Sequence, residues 1–65
     1  MNDRLVIVLS TFADATAARS AATELVEQGL VACAQIETRP ITSIYLWKGQ
    51  VEAEDEILLR LKTTE

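Results

Sequence analysis

The chain has 65 residues, of which 49% are hydrophobic and 25% charged, and its formal net charge at pH 7 is −4. This apolar content excludes a disordered chain, and the acidic balance disfavours nucleic acid, whose phosphates attract clustered Lys and Arg. Residues 1–65 make one small domain, which buries only about 60% of the surface that its unfolded chain exposes, so we expect oligomerisation to stabilise it.

Cysteine and histidine are scarce, with Cys33 alone and no His. This excludes a disulfide framework and the usual Cys/His zinc motifs, and it fits a reducing compartment, so we expect a cytoplasmic protein. The longest apolar run, residues 5–9, is too short to span a bilayer, and the N-terminus lacks the basic and apolar regions of a signal peptide. We therefore expect no membrane partner.

The aliphatic run 5–9 predicts the first strand. Unbroken runs of this kind are typical of strands covered on both faces, so we expect this strand to lie inside a sheet, at its centre. Residues 11–13 are predicted to form a short loop. The Asp14 carboxylate can then accept the free backbone N–H groups of a new helix and cap it.

An amphipathic helix is predicted over residues 15–28. Its buried face comprises the residues that recur at helical spacing, namely Ala18, Ala21, Ala22, Leu25 and Val26. Gly29 follows the helix. Because glycine adopts left-handed backbone without a Cβ penalty, we expect it to cap the C-terminus.

A second strand is predicted over residues 30–36. Alternation places Leu30, Ala32, Ala34 and Ile36 on one face, and Val31, Cys33 and Gln35 on the other. Pro40 lacks the N–H that a strand ladder requires. We therefore expect the strand to bend at Pro40 and to continue as residues 41–47.

Residues 41–63 predict a long β-hairpin that folds about Lys48, Gly49 and Gln50. Before the turn, Ser43, Tyr45 and Trp47 share one face, and Ile44 and Leu46 the other. After it, one face is apolar, with Val51, Ala53, Ile57, Leu59 and Leu61, and the opposite face is mostly charged, with Glu52, Glu54, Glu56, Arg60 and Lys62.

The order strand, helix, strand, strand indicates an α+β fold. A helix of this length allows a right-handed parallel crossover between the first two strands, and the tight turn makes the last two antiparallel. Inserting the long last strand between the first two gives a split β-α-β sheet with the helix on one face. The first strand then has a single neighbour and the far edge is a bent strand, so we expect something to cover both edges.

The sequence resembles the CutA divalent-ion tolerance family over residues 6–63. The similarity lies in the segment LVEQGLVACAQI at 25–36, in Pro40, and in a set of residues at fixed spacing. That set is Ser43, Tyr45, Trp47, Gly49, Glu56, Leu58 or Leu59, Lys62 and Thr63. The chain is similar to roughly the first three-fifths of a member, since members normally continue with a second helix and a fourth strand.

The resemblance implies a ferredoxin-like α/β fold, similar to PII-type signalling proteins, in a homotrimer whose long hairpins join sheets between subunits. It also implies a cytoplasmic, non-enzymatic role in tolerance of copper and other divalent metals. Some members have a Cys at the position matched by Ser10, together with His residues in the later half. Because this chain has Ser10 and no His, the resemblance transfers no metal site.

Cys33 is the candidate soft ligand. Its thiolate could bind Cu(I), but one thiolate is too few for a tight site unless three subunits combine theirs; the alternative is a small buried residue of the sheet. The acidic residues Glu52, Glu54, Asp55 and Glu56 could hold a hard cation, but an extended strand turns Asp55 away, and a solvated strand end is the favoured interpretation.

Tyr45 and Trp47 could stack a ligand or anchor a subunit interface, and we favour the interface. Lys48 and Lys62 could hold a small anion in a cleft between subunits, by analogy with PII-type proteins. Catalysis is not expected. Glu52 and Glu54 could suggest paired acid and base roles, but catalysis would require burial of one carboxyl, and nothing apolar flanks both. A serine or threonine nucleophile would have no histidine to activate it.

Overall fold

The computed structural model describes residues 4–64, so the predicted domain, 1–65, reaches beyond the described residues at both ends. The elements in chain order are β1 (Leu5–Phe12), α1 (Ala15–Glu27), β2 (Cys33–Ile36), β3 (Ile41–Trp47) and β4 (Gln50–Thr64). Every strand pair is antiparallel and includes β4. The predicted element order and α+β class are confirmed.

The long strand β4 organises the sheet. Its residues 57–64 lie between β1 and β2, and its residues 50–56 pair with β3. The split β-α-β arrangement is therefore confirmed, whereas the central position predicted for β1 is wrong, because β4 occupies it. An aliphatic run indicates that both faces of a strand carry apolar side chains. It does not indicate whether both edges of the strand pair with other strands.

Both ends of α1 follow local rules. The backbone N–H of Ala17 donates to Asp14 Oδ1 at 2.8 Å, which confirms the predicted N-cap. At the other end Gly29 has φ +72°, and the N–H groups of Gly29 and Leu30 donate to the carbonyls of Val26 and Leu25, each at 3.0 Å. This pair of hydrogen bonds is a Schellman motif, and it confirms Gly29 as the C-terminal cap.

The loop predicted at 11–13 is shorter in the structure because β1 continues to Phe12. Phe12 pairs with Ile57 of β4 and packs against the core cluster. This apolar contact keeps the end of β1 in the sheet, so the connection to α1 consists of Ala13 and Asp14.

The core lies between α1 and one face of the sheet. Its side chains with less than about a tenth of their surface exposed are Ala18, Ala22, Val31, Ile57, Leu59 and Leu61. Leu59 is the largest of those that are fully buried. Val26 was predicted to join this core but is 44% exposed. Val26 lies near β2, the short strand at one edge of the sheet. Ala34 and Ile36 of this strand offer little surface for Val26 to pack against.

The second strand is shorter than predicted. The capping turn takes up Leu30, and the chain enters the sheet only after the N–H of Ala32 donates to the carbonyl of Lys62 at 2.8 Å. The turn also breaks the predicted alternation, because Val31 belongs to the same core cluster as Ala34 and Ile36.

The bend at Pro40 is confirmed. Ile36 pairs with Leu59, the N–H of Glu37 donates to the carbonyl of Leu58 at 3.0 Å, and Ile41 pairs with Glu56. Residues 38–40 therefore bulge out while β2 and β3 follow the same strand. The hairpin turn is also confirmed, with Lys48 (φ +51°) and Gly49 (φ +79°) as its two central residues and Gln50 already in β4. Positive φ at both central positions matches the right-handed twist of the flanking strands.

Candidate functional site

The face of the sheet opposite α1, called the open face here, is largely apolar along β1. Leu5, Ile7 and Leu9 alternate with the residues that face the helix, and they are 65%, 53% and 61% exposed. The same face carries Lys62 and, across from it on β2, Cys33. The open face is therefore the first of two apolar surfaces that no described residue covers.

The second surface lies on the arm, which we define as β3 together with residues 50–56. Ile44 pairs with Ala53, and Leu46 with Val51, which places all four on one side of the arm. Ile44, Leu46 and Val51 are each at least 70% exposed. The alternation predicted for the hairpin is therefore correct. It produces an apolar side that projects beyond the core, in a molecule 47 Å long.

The opposite side of the arm carries a groove of about 460 Å³ lined by Tyr45, Trp47, Glu52 and Glu54. Glu52 lies directly across the hairpin from Tyr45, whose hydroxyl donates to Glu54 Oε1 at 2.8 Å. Next to the groove, Lys48 Nζ lies 5.9 Å from the centroid of the Trp47 ring. The groove thus combines two aromatic rings with two carboxylates.

The hydrogen bond to Glu54 raises the pKa of Tyr45, with smaller contributions from desolvation and from the negative charges of Glu54, Glu52 and Glu56. Tyr45 is the chain's one tyrosine, so phenolate absorbance reports its ionisation directly. We predict a midpoint above the ordinary value of about 10 in the native chain, and a lower midpoint in Glu54→Gln, which loses the strongest of these effects. Equal midpoints in the two proteins would contradict this geometry.

Glu56 occupies the junction between the arm and the body of the sheet. Thr11 at the end of β1 donates to Glu56 Oε2 at 2.9 Å. Hydrogen bonding from the hydroxyl of Ser43, and then from that of Thr11, lowers the pKa of Glu56. Glu56 therefore remains ionised in mild acid, and its role is to join β1 to the arm.

The acidic run does not converge on one point. Asp55 lies on the other side of the arm from its acidic neighbours, where it accepts from Thr42 Oγ1 at 3.1 Å. Glu54 and Glu56 accept from different hydroxyls. Across residues 4–64 there is no group of three or more His, Cys, Asp or Glu side chains that could hold a metal ion.

Cys33 is exposed, so the interpretation of a small buried residue is wrong. The reason lies in the register, because Cys33 pairs with Lys62 on the open face while Ala34 packs against the core. Among the other candidate residues, Asp14 caps α1 and Ser10 is an exposed residue of β1. Residues 4–64 contain no helix long and apolar enough to cross a bilayer.

The structure brings Tyr45, Trp47 and Lys48 together at the tip of the arm but places Lys62 near the far end of β4. The strand from Gln50, which follows the turn at Lys48, to Lys62 extends about 40 Å at about 3.4 Å per residue. The sequence analysis did not place Glu52 and Glu54 beside Tyr45 and Trp47, although the structure does. The two-residue turn at Lys48 and Gly49 fixes the register of the hairpin, and this register places both glutamates beside the rings. The length of the turn is therefore the signal that could have predicted their position.

Comparison with known proteins gives one consistent result. Residues 6–65 match the family model described as "CutA1 divalent ion tolerance protein". A divalent-cation tolerance protein CutA from Thermus thermophilus is 45% identical over 58 residues, which cover 89% of this chain and 55% of that protein. A CutA homolog from Xenopus laevis is 48% identical over 48 residues, covering 74% of this chain and 31% of the relative.

The solved structures agree in fold. The divalent cation tolerance protein of Thermus thermophilus superposes with a TM-score of 0.86 at 43% identity, over 94% of this chain and 58% of that one. CutA1 from Oryza sativa gives a TM-score of 0.87 at 33% identity, over 94% and 55% of the two chains. The ferredoxin-like fold is thereby confirmed, and the chain spans little more than half the length of these structures.

Proposed function

The chain belongs to the CutA1 divalent ion tolerance protein family, and on this premise we propose that it acts in the tolerance of divalent metal ions, copper among them. It does so as a non-enzymatic protein of the cytoplasm. The names of its relatives support a role in divalent-cation tolerance, and the single free thiol is compatible with a reducing compartment. Because the chain covers about half of those relatives, each of these statements about activity is a proposal.

We propose further that copies of the chain assemble as a homotrimer. The observation that supports assembly is the apolar side of the arm, where Ile44, Leu46 and Val51 are 71%, 70% and 73% exposed. Contiguous apolar surface of this kind marks a protein contact in most soluble proteins. The open face likewise has exposed apolar side chains, at Leu5, Ile7 and Leu9.

Strand edges support the same proposal. Within the described residues, β1 pairs only with β4, and residues 50–56 of β4 pair only with β3. Unpaired strand edges accept further strands through main-chain hydrogen bonds. A neighbouring copy would pair with these strand edges and cover the apolar side of the arm. The arm projects from the body of the sheet far enough to contact such a copy.

A growth assay tests the proposed role. The chain is expressed in a copper-sensitive bacterial host that lacks its own relative of this family, and growth is measured over a series of copper concentrations. We expect growth at copper levels that stop the host alone. We expect no gain from Leu59→Ala, which removes the buried centre of the core. Equal growth with the native chain and with an empty vector would contradict a role in copper tolerance.

Direct copper binding through Cys33 is a second candidate, which the exposure of this residue favours. A thiol on the open face is accessible to Cu(I), and assembly could place several of them together. This candidate predicts that Cys33→Ser lowers Cu(I) affinity by about tenfold or more in a competition titration, because a soft ligand is lost. Equal affinity of the two proteins would exclude copper binding through Cys33 and leave the tolerance role intact.

A PII-like role in binding a small anion has a geometric requirement. Because Lys48 lies in the turn before β4 and Lys62 near the far end of that long strand, one chain cannot place both on one small ligand. Such a site would need Lys48 of one copy beside Lys62 of another, and it therefore depends on the proposed assembly.

A further inference from the structure

We propose that the groove lined by Tyr45, Trp47, Glu52 and Glu54 binds an organic ammonium ion. This inference goes beyond divalent metal tolerance, since it concerns a different ligand and a different part of the molecule from Cys33. All four residues belong to the arm of one chain. One chain therefore supplies the whole described lining of the groove.

The aromatic rings supply the first part of the argument. Tyr45 and Trp47 are two residues apart on β3, so their side chains lie next to each other on one side of the strand. They are 39% and 59% exposed, which leaves ring surface open to the groove. The Lys48 ammonium at 5.9 Å from the Trp47 centroid shows that this ring already attracts a cation within the arm.

The charges supply the second part. The Glu52 carboxylate has no hydrogen bond or ion pair with any described residue, and Glu54 receives only the neutral Tyr45 hydroxyl. No lysine or arginine among residues 4–64 lines the groove, and Lys48 lies beside the ring. The groove thus holds two negative charges next to two electron-rich ring faces, an arrangement that attracts a cation with an apolar surface.

Other ligand classes fit this groove less well. An anion would be repelled by Glu52 and Glu54. A hard divalent cation prefers six or more oxygen ligands and gains nothing from the rings, and the described residues hold no metal-binding group of three acidic side chains. A neutral aromatic ligand would not use the free carboxylate. An alkylated ammonium ion uses both features, and the volume of about 460 Å³ exceeds the size of a small one.

Trp47 is the only tryptophan in the chain, so intrinsic fluorescence measures occupancy of the groove directly. The native chain is titrated with tetramethylammonium chloride, and parallel titrations use sodium chloride at matched ionic strength, magnesium chloride and the neutral tert-butanol. We expect a saturable change with tetramethylammonium alone, with a midpoint in the millimolar range. An equal response to sodium chloride, magnesium chloride or tert-butanol would overturn the proposal.

A pair of charge-matched variants tests the residues. We expect Glu52→Gln to raise the tetramethylammonium midpoint about threefold or more, because the unpaired carboxylate is lost. Glu27→Gln removes the same charge from α1, outside the groove, and we expect it to leave the midpoint unchanged. Both positions are exposed, and circular dichroism verifies that both variants fold. Equal midpoints for the two variants would overturn the assignment.

Discussion

Leu59→Ala is expected to remove much of the stability of the 65-residue chain. Leu59 has no exposed surface and lies between Ala22 of the helix and Val31, at the centre of a core with few large side chains. Truncating a buried leucine costs about 2 to 5 kcal/mol through lost transfer energy and the cavity that remains. A chain of this length has a total stability of roughly 3 to 10 kcal/mol, so one substitution removes much of it.

Urea denaturation followed by circular dichroism measures this effect. The matched control is Leu30→Ala, the same chemical change at a side chain that is 58% exposed and outside the core cluster. We expect this control to change the free energy of unfolding by less than about 0.5 kcal/mol. Similar midpoints for Leu59→Ala and Leu30→Ala would show that the core is not where the structure places it.

Leu46→Asp is expected to separate the copies while each chain keeps its arm and sheet. Leu46 is 70% exposed and pairs with Val51, so a single chain loses little packing when it is replaced. In an assembly, the variant loses about 1.5 to 3 kcal/mol of leucine burial in every copy and places a carboxylate in an apolar contact. We expect a dissociation constant at least about 100-fold weaker, since each tenfold step corresponds to about 1.4 kcal/mol.

Sedimentation equilibrium over a dilution series measures that constant. Thr23→Asp provides the control, because it adds the same charge to an exposed position of α1, away from the arm. We expect this control to assemble as the native chain does. Equal dissociation constants for Leu46→Asp and Thr23→Asp would show that the apolar side of the arm is not a contact between copies.

Local signals in the sequence predict most of the fold. The caps at Asp14 and Gly29 and the turn at Gly49 depend on the chemistry of one residue and its immediate neighbours, and the structure has each of them. The alternation of Tyr45 and Trp47 with apolar residues is similarly local, and it places them on one side of the arm.

Features that depend on distant parts of the chain are predicted poorly. The place of β1 at the edge of the sheet depends on which strand pairs with β4, and the aliphatic run carries no information about that. Val31 joins the core instead of the face that it was predicted to share with Cys33, because the Schellman turn at Gly29 shifts the start of β2. The groove is different, because the positions of Glu52 and Glu54 beside Tyr45 follow from the local register of the hairpin.

The mass of the native chain in solution tests the assembly most directly. Light scattering at micromolar concentration, on a sample whose circular dichroism shows the folded sheet and helix, gives this mass without labels. We predict three times the 7.2 kDa mass of one chain, because the proposed trimer buries the apolar side of the arm that a single chain leaves exposed. A folded, stable species with the mass of one chain would contradict the account.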